Sequence, residues 1–365
     1  MKILLIGFSK IKYMPYANFY LENIDCKNNE VHLLYWNRDL KDEDTSAYGD
    51  LVLHEFNCYQ EDDVSKLSKV SSFLKYRRYA KKLLRTQKFD LIIALHSMPG
   101  VLLSRFLAKQ YRNRYIFDYR DSTYERFGFY RSIIARIVKG SKCTFVSSDG
   151  FRCFLPESEK EKIHTSHNLL VDSLEHRDER TNFGIKSDKI RISFWGFIRH
   201  EDVNRELIKK IAADGRFELH YYGREQQVAL NLKQYASDIG ATNVFFHGEY
   251  TPEERYKFVR CTDVIHNLYR DANMMLAMGN KYYDGVIFRI PQICTEGAFM
   301  ATVAEQGGVG IGVDLSNEDF CEKLYDYYCG LNKTSFEAKC DKELERIIND
   351  YRKGAAIIKN ATSEQ

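Results

Sequence analysis

The stretch VDSLEHRDERTNFGIKSDKIRISFWG (171–196) decides between one domain and two. Its first part is polar and charged, with almost no apolar periodicity, and reads as a linker. From Lys189 the sequence turns β-rich and apolar, and ends on a glycine. Upstream, short strands alternate with helical segments. The strands are KILLIGF (2–8), EVHLLYW (30–36), DLVLHEF (50–56), FDLIIALH (89–96), RYIFDYR (114–120) and CTFVSS (143–148). Helices fill the gaps around 13–23, 67–86, 99–111, 126–139 and 149–154. Downstream the alternation restarts, with strands at 189–196, 217–223, 243–248, 263–269, 291–295 and 308–314. Helices there fall at 202–213, 226–238, 252–260, 281–288 and 317–329, before a charged helical tail over 335–359. Apolar strands separated by helices predict parallel sheets covered on both faces. The reading is an α/β chain of two tandem Rossmann-like doubly wound domains facing across a cleft.

Length agrees, since 365 residues suit two domains of roughly 150–180 residues each. The expected division is 1–170, a linker at 171–188, a second domain at 189–340, and a C-terminal helix at 341–365 that can cross back to the first. The opening apolar run, MKILLIGF, is too short for a signal-peptide core. No later run approaches the ~20 apolar residues of a membrane span. The nine cysteines are odd in number and form no CxxC pair, as expected of reduced thiols in a cytoplasmic protein.

Charge is uneven. Residues 1–170 hold 28 Lys and Arg against 20 Asp and Glu, and residues 64–142 hold 19 against 4. Within SSFLKYRRYAKKLLRTQKFD (71–90), Phe73, Leu74, Tyr76, Tyr79, Ala80, Leu83 and Leu84 recur at helical spacing. Lys75, Arg77, Arg78, Lys81, Lys82 and Arg85 fill the remaining face. Such a helix suits an anionic membrane surface or an acidic ligand, and equally a solvated helix with its apolar stripe in the core. Further cations from Arg105 to Lys139 favour an anionic partner. No nucleic-acid-binding signature accompanies them, so nucleic acid is not expected.

In open α/β sheets ligands bind beyond the carboxyl ends of the strands. That rule selects Gly7, Phe8 and Ser9, His96, and Asp121 in the first domain. In the second it selects Gly196, Arg199, Gly223, Arg224, Tyr250 and Tyr269, with Asn280, Lys281, Tyr282 and Asp284 on the helix that follows. No GxGxxG follows the first strand and no GxxxxGK[ST] occurs, which disfavours a nicotinamide dehydrogenase and a P-loop enzyme. Asp42-Glu43-Asp44 reads as a solvated turn, and His164 with His167 has no acidic or Cys partner nearby in sequence. No metal is expected. In IFDYRDST (116–123), Asp118 and Asp121 project to opposite faces if the strand continues, one bracing the loop and the other reaching the rim. A pair of structural caps is the alternative.

The order of IFDYRD (116–121), VSSDGF (146–151), HNLLVD (167–172), ISFWGFIR (192–199), FELHYYGRE (217–225), NVFFHGEYTPEERY (243–256), NKYYDGVIFRIPQIC (280–294) and GVGIGVD (308–314) resembles family 4-type glycosyltransferases of the GT-B fold. The likeness is greatest to bacterial enzymes that build capsular and surface polysaccharide. It spans nearly the whole chain and is strongest from Ser193 to Asp314. The resemblance implies that Asp284 stands at the second Glu of the family's E-x7-E motif, which holds the donor ribose. The first Glu is replaced by Leu276. Arg199 matches the family's phosphate-binding arginine, and Lys281 substitutes for the usual lysine, one turn from Asp284.

What this implies is a retaining, metal-independent transferase without a cofactor. It would move a sugar from a UDP- or GDP-linked donor to a lipid-linked or free oligosaccharide. Asp121 and His96 are the acceptor-side catalytic candidates, and Gly7, Phe8 and Ser9 the acceptor-binding ones. The basic first domain would hold the protein at the inner face of the plasma membrane. Two rivals share the fold: a nucleotide-sugar epimerase, and a non-catalytic partner of another transferase.

Overall fold

The computed structural model describes residues 1–60, 65–179 and 189–363. Residues 180–188, half of the expected linker, lie outside them. The chain divides into two compact units, Met1–His167 with Asn349–Gln365, and Asn168–Ile348.

The first unit is built on seven strands: β1 (Lys2–Ile6), β2 (Glu30–Asn37), β3 (Val52–Asn57), β4 (Leu91–Ala94), β5 (Tyr115–Tyr119), β6 (Cys143–Val146) and β7 (Ile163–Thr165). They form one sheet in the order β3-β2-β1-β4-β5-β6-β7, and every pairing is parallel. The three-residue β7 has no counterpart in the sequence reading, because IHT is too short to show alternation. The helices are α1 (Ala17–Leu21), α2 (Lys66–Thr86), α3 (Ser97–Gln110) and α4 (Gly128–Gly140). Ser65 caps α2, its hydroxyl accepting from the amide of Ser68 at 3.2 Å. On α2, Tyr76, Ala80, Leu83 and Leu84 enter the core as the spacing predicts, whereas Leu74 is exposed. It shares a face with Leu67 and Val70, which are exposed too. The segment 149–154, read as a helix, is a 3-10 turn.

The second unit carries β8 (Ile190–Trp195), β9 (Phe217–Tyr222), β10 (Val244–Phe246), β11 (Val264–Asn267), β12 (Gln292–Thr295) and β13 (Gly310–Val313). Their order is β10-β9-β8-β11-β12-β13, again with every pairing parallel. Its helices are α5 (Glu201–Ala212), α6 (Gln227–Asp238), α7 (Arg255–Val259), α8 (Asn280–Ile287), α9 (Phe299–Gly307) and α10 (Phe320–Cys329). A long α11 (Lys333–Ser363) contributes its residues to Ile348 here and the remainder to the first unit, where Tyr351 packs edge-on against Phe19 at 5.2 Å. The sequence reading did not include α9. Residues 171–179, expected to be irregular, form a 3-10 helix tied in by His176 stacked on Tyr256.

In each sheet the strand order reverses beside the first strand of the unit, between β1 and β4 and between β8 and β11. A crevice opens at such a point beyond the carboxyl ends of the strands. The residues following those four strands therefore border the crevices.

Candidate active site

In the first unit the fold brings His96 and Asp121 together. His96 leaves β4 with φ of 75° and caps α3, its Nδ1 accepting weakly from the amide of Met98 at 3.4 Å. Its Nε2 lies 2.9 Å from Asp121 Oδ2, beyond the end of β5. An imidazole that accepts at Nδ1 carries its proton on Nε2, so His96 donates to the carboxylate. Asp121 fixes the ring and leaves Nδ1 as the basic nitrogen, behind one long hydrogen bond. Asp118 points the other way, as the strand period requires. It is fully buried and takes Arg120 Nε at 2.7 Å, while Arg120 also donates to Ser166 Oγ.

The three expected acceptor residues fare less well. Phe8 is buried among Trp36, Phe73 and Tyr76, with the Arg38 guanidinium over its ring. Gly7 is buried, its carbonyl accepting from the Tyr76 hydroxyl. Both are core residues, because β1 is central and its carboxyl end is roofed by α2. Only Ser9 of the three is partly open. Glu43 accepts from the amides of Ile11 and Lys12, and Asp44 from Ser46, so that acidic run ties down backbone.

In the second unit three glycines close the strand ends. Gly196 has φ of 109°, a left-handed conformation natural to glycine. Gly223 packs so tightly on the Gly196 carbonyl that a Cβ would collide with it. Its amide donates to Gly248 at 2.8 Å. Beyond this rim Arg199 is exposed, with its guanidinium 4.6 Å from the Phe197 ring centroid, and Arg224 is exposed as well.

The α8 segment answers how a cation and an anion one turn apart are used. Lys281 and Asp284 make no ion pair. Asp284, 4% exposed, accepts from Trp195 Nε1 at 2.8 Å and faces Arg255 Nη1 at 3.5 Å. Burial raises its pKa, against the pull of Arg255, Trp195 and Lys281. Lys281 is half-buried, its ammonium 3.9 Å from the Phe194 ring centroid and 5.4 Å from that of Tyr269. Burial pushes it down to about 7; Asp284 opposes the shift and Arg199 adds to it. Gly279 caps α8 with no side-chain acceptor, which leaves first-turn amides for an anion, beside exposed Asn280. Tyr282, expected at the donor, is instead a core residue. It is 0% exposed and donates to Glu343 Oε1 at 2.8 Å, since its place on α8 turns it towards α11.

Tyr250 sits over Phe258, centroids 5.0 Å apart, at a recess of about 330 Å³ also lined by Tyr222, His247 and Lys257. Its phenol is pushed up to about 12 by burial and then by Asp284, which places it beside the Asp284–Arg255 pair. A second recess of about 270 Å³ lies at the ends of β11 to β13. Its cation, Arg270, is already paired with Glu206. Trp195 and Arg255, the partners of Asp284, were not picked out from sequence. Trp195 directly precedes the rim glycine Gly196 and was within reach of the strand-end rule, whereas nothing local marks Arg255.

No family model matches the chain, and no curated protein sequence does. Solved structures match along its whole length. Sucrose-phosphate synthase from Thermosynechococcus elongatus superposes with TM-score 0.71 at 11% identity, over 98% of this chain and 97% of that one. The lipopolysaccharide outer-core galactosyltransferase WaaB gives 0.67 at 12% identity, over 98% and 99%. HepE of Anabaena, solved with UDP and glucose, gives 0.62 at 12% identity, over 99% and 97%. The chain has the GT-B fold, two Rossmann-like parallel sheets of the kind found in these glycosyltransferases. At such identities the likeness is one of fold.

Proposed function

We propose that this chain is a glycosyltransferase that uses a nucleotide-diphosphate sugar. One observation carries the reading: Lys281 lies in the first turn of a helix without a side-chain cap, Arg199 is near enough to disfavour its charge, and among the described residues neither is in an ion pair. Two unneutralised cations and free amides form a site for a diphosphate. Tyr250 and its recess take the base. Asp284 keeps lone pairs for the ribose hydroxyls beyond those engaged by Trp195 and Arg255. Gly196, Gly223 and Tyr269 let the ligand approach the strand ends closely, with Arg224 and Asn280 at the margin. The UDP bound by HepE supports a uridine donor, and GDP is the alternative.

On the acceptor side His96 is the group that meets the attacking hydroxyl and Asp121 positions it. A lipid-linked or free oligosaccharide in surface polysaccharide synthesis is the proposed acceptor. The basic α2 is proposed to hold the protein at an anionic leaflet. The resemblance read from the sequence favours retention and no metal. A second reading, inversion with His96 Nδ1 as the base, is favoured by the His96–Asp121 pair alone.

Calorimetric titration with UDP, GDP and the bare nucleosides tests the donor site. A Lys281→Ala variant should lose roughly 1.5–3 kcal/mol of diphosphate affinity and little for the nucleoside. Unchanged affinity for both would remove the assignment.

A further inference from the structure

The helices α2, α3 and α4 contain no acidic residue. Between the C-terminal halves of α2 and α3 lies a groove of about 640 Å³ lined by Lys81, Arg85, Lys88, Arg105, Lys109 and Arg114. Among the described residues none of the six is in an ion pair. Other clustered cations have carboxylates beside them: Arg216 pairs with Asp214 and Glu322, Arg289 with Asp178 and Asp341, and Arg346 with Glu343. Asp90, the acidic residue nearest in sequence, is turned to the amide of Lys2. Burial lowers the pKa of Lys81, and the neighbouring Arg77 and Arg85 lower it further.

Helix dipoles account for part of this charge. Each C-terminus carries about half a negative charge, which Arg85 and Lys109 in the last turns already meet. Arg114 donates to the Gln110 carbonyl at 2.7 Å, whereas Lys81, Lys88 and Arg105 have no hydrogen-bonded or ion-paired counterpart among the described residues. Stacked bases do not fit, because the groove's rings are taken: Lys81 and Arg85 lie over Phe106 and Arg114 over Tyr111. Guanidinium forks from two walls match phosphate oxygens. In a βαβ unit the helix C-termini lie at the edge where strands begin. The groove is therefore at the opposite edge of the sheet from His96 and Asp121.

We propose that the α2–α3 groove binds a compact, multiply charged phosphate group, at a site separate from any donor or acceptor position. It rests on this charge geometry and not on the transferase reading. The ligand would be either a soluble polyphosphate or a phosphomonoester lipid headgroup. In the Lys281→Ala background, where the separate diphosphate site is weakened, calorimetry with inorganic tripolyphosphate at low salt should show saturable binding to a single site. Arg85→Glu with Arg105→Glu should weaken it at least tenfold, and the Gln pair several-fold; both positions are exposed, so the fold should survive. Binding by the charge-reversed protein equal to that of its Lys281→Ala parent, or no saturation, would overturn the proposal. Vesicles separate the sources. Preference for phosphatidic acid over phosphatidylserine at equal surface charge, lost in the Glu pair, identifies a lipid headgroup. Tripolyphosphate binding without that preference identifies a soluble ligand.

Discussion

Asp284 is the residue at which expectation and structure part most clearly. From sequence it is a carboxylate selected by the strand-end rule as a rim residue. In the fold it is buried between Trp195 and Arg255, so Asp284→Ala would leave a guanidinium uncompensated at a site of low dielectric. Thermal or urea unfolding should show a loss of about 3–5 kcal/mol, with Asp284→Asn milder because it still accepts from Trp195. Lys281 makes a different prediction. With a pKa near 7, it binds diphosphate as a cation and takes up a proton when it does so above that pH. Pyrophosphate affinity should therefore fall as pH rises through about 7. Calorimetry in buffers of different ionisation enthalpy should detect the proton uptake, and Lys281→Ala should abolish it. His266 is fully buried, neither ring nitrogen has a hydrogen-bond partner, and burial followed by Lys281 pushes its pKa down to about 3. The unfolded chain protonates it near 6.5, so protons favour the unfolded state below that pH. Stability should decline as pH falls from about 6.5 towards 3, and a His266→Phe variant should flatten that decline.

At the scale of the element, α2 carries two distinct surfaces on one helix. Its C-terminal half is anchored by Tyr76, Ala80, Leu83 and Leu84 and lines the cationic groove. Its N-terminal half leaves Leu67, Val70 and Leu74 exposed as a stripe, bordered by Lys75 and Arg78. An amphipathic surface of this kind inserts shallowly in an anionic leaflet, with each cation contributing about 1 kcal/mol. Sedimentation with anionic liposomes at low salt, reversed at high salt, is the expected outcome. Val70→Asp with Leu74→Asp should remove it while tripolyphosphate binding persists. Equal binding to neutral liposomes would return the stripe to an ordinary solvated face.

For the molecule as a whole, the stereochemistry of transfer is open to one measurement. Proton NMR of the first-formed product reads its anomeric configuration. Retention fits the family resemblance, whereas inversion would make His96 the base and predicts that His96→Ala abolishes transfer. Activity is expected to survive excess EDTA, since Lys281, Arg199 and helix-end amides would meet the leaving-group charge. A loss of more than tenfold restored by Mg²⁺ would refute that.

Periodicity alone determined the two parallel sheets, because apolar strands buried on both faces must recur between amphipathic helices, and twelve of the strands occupy the segments where alternation places them. The strand-end rule likewise selects His96, Asp121, Lys281 and Asp284 as candidates from sequence. Tertiary structure decided the rest, since partners distant in sequence carry no local mark. Asp284 finds Arg255 and Trp195, Phe8 and Tyr282 turn inward, and cations from α2 and α3 converge on one groove. Which face of a rim residue meets solvent is set by the element packed over it, and that is information no window of sequence contains.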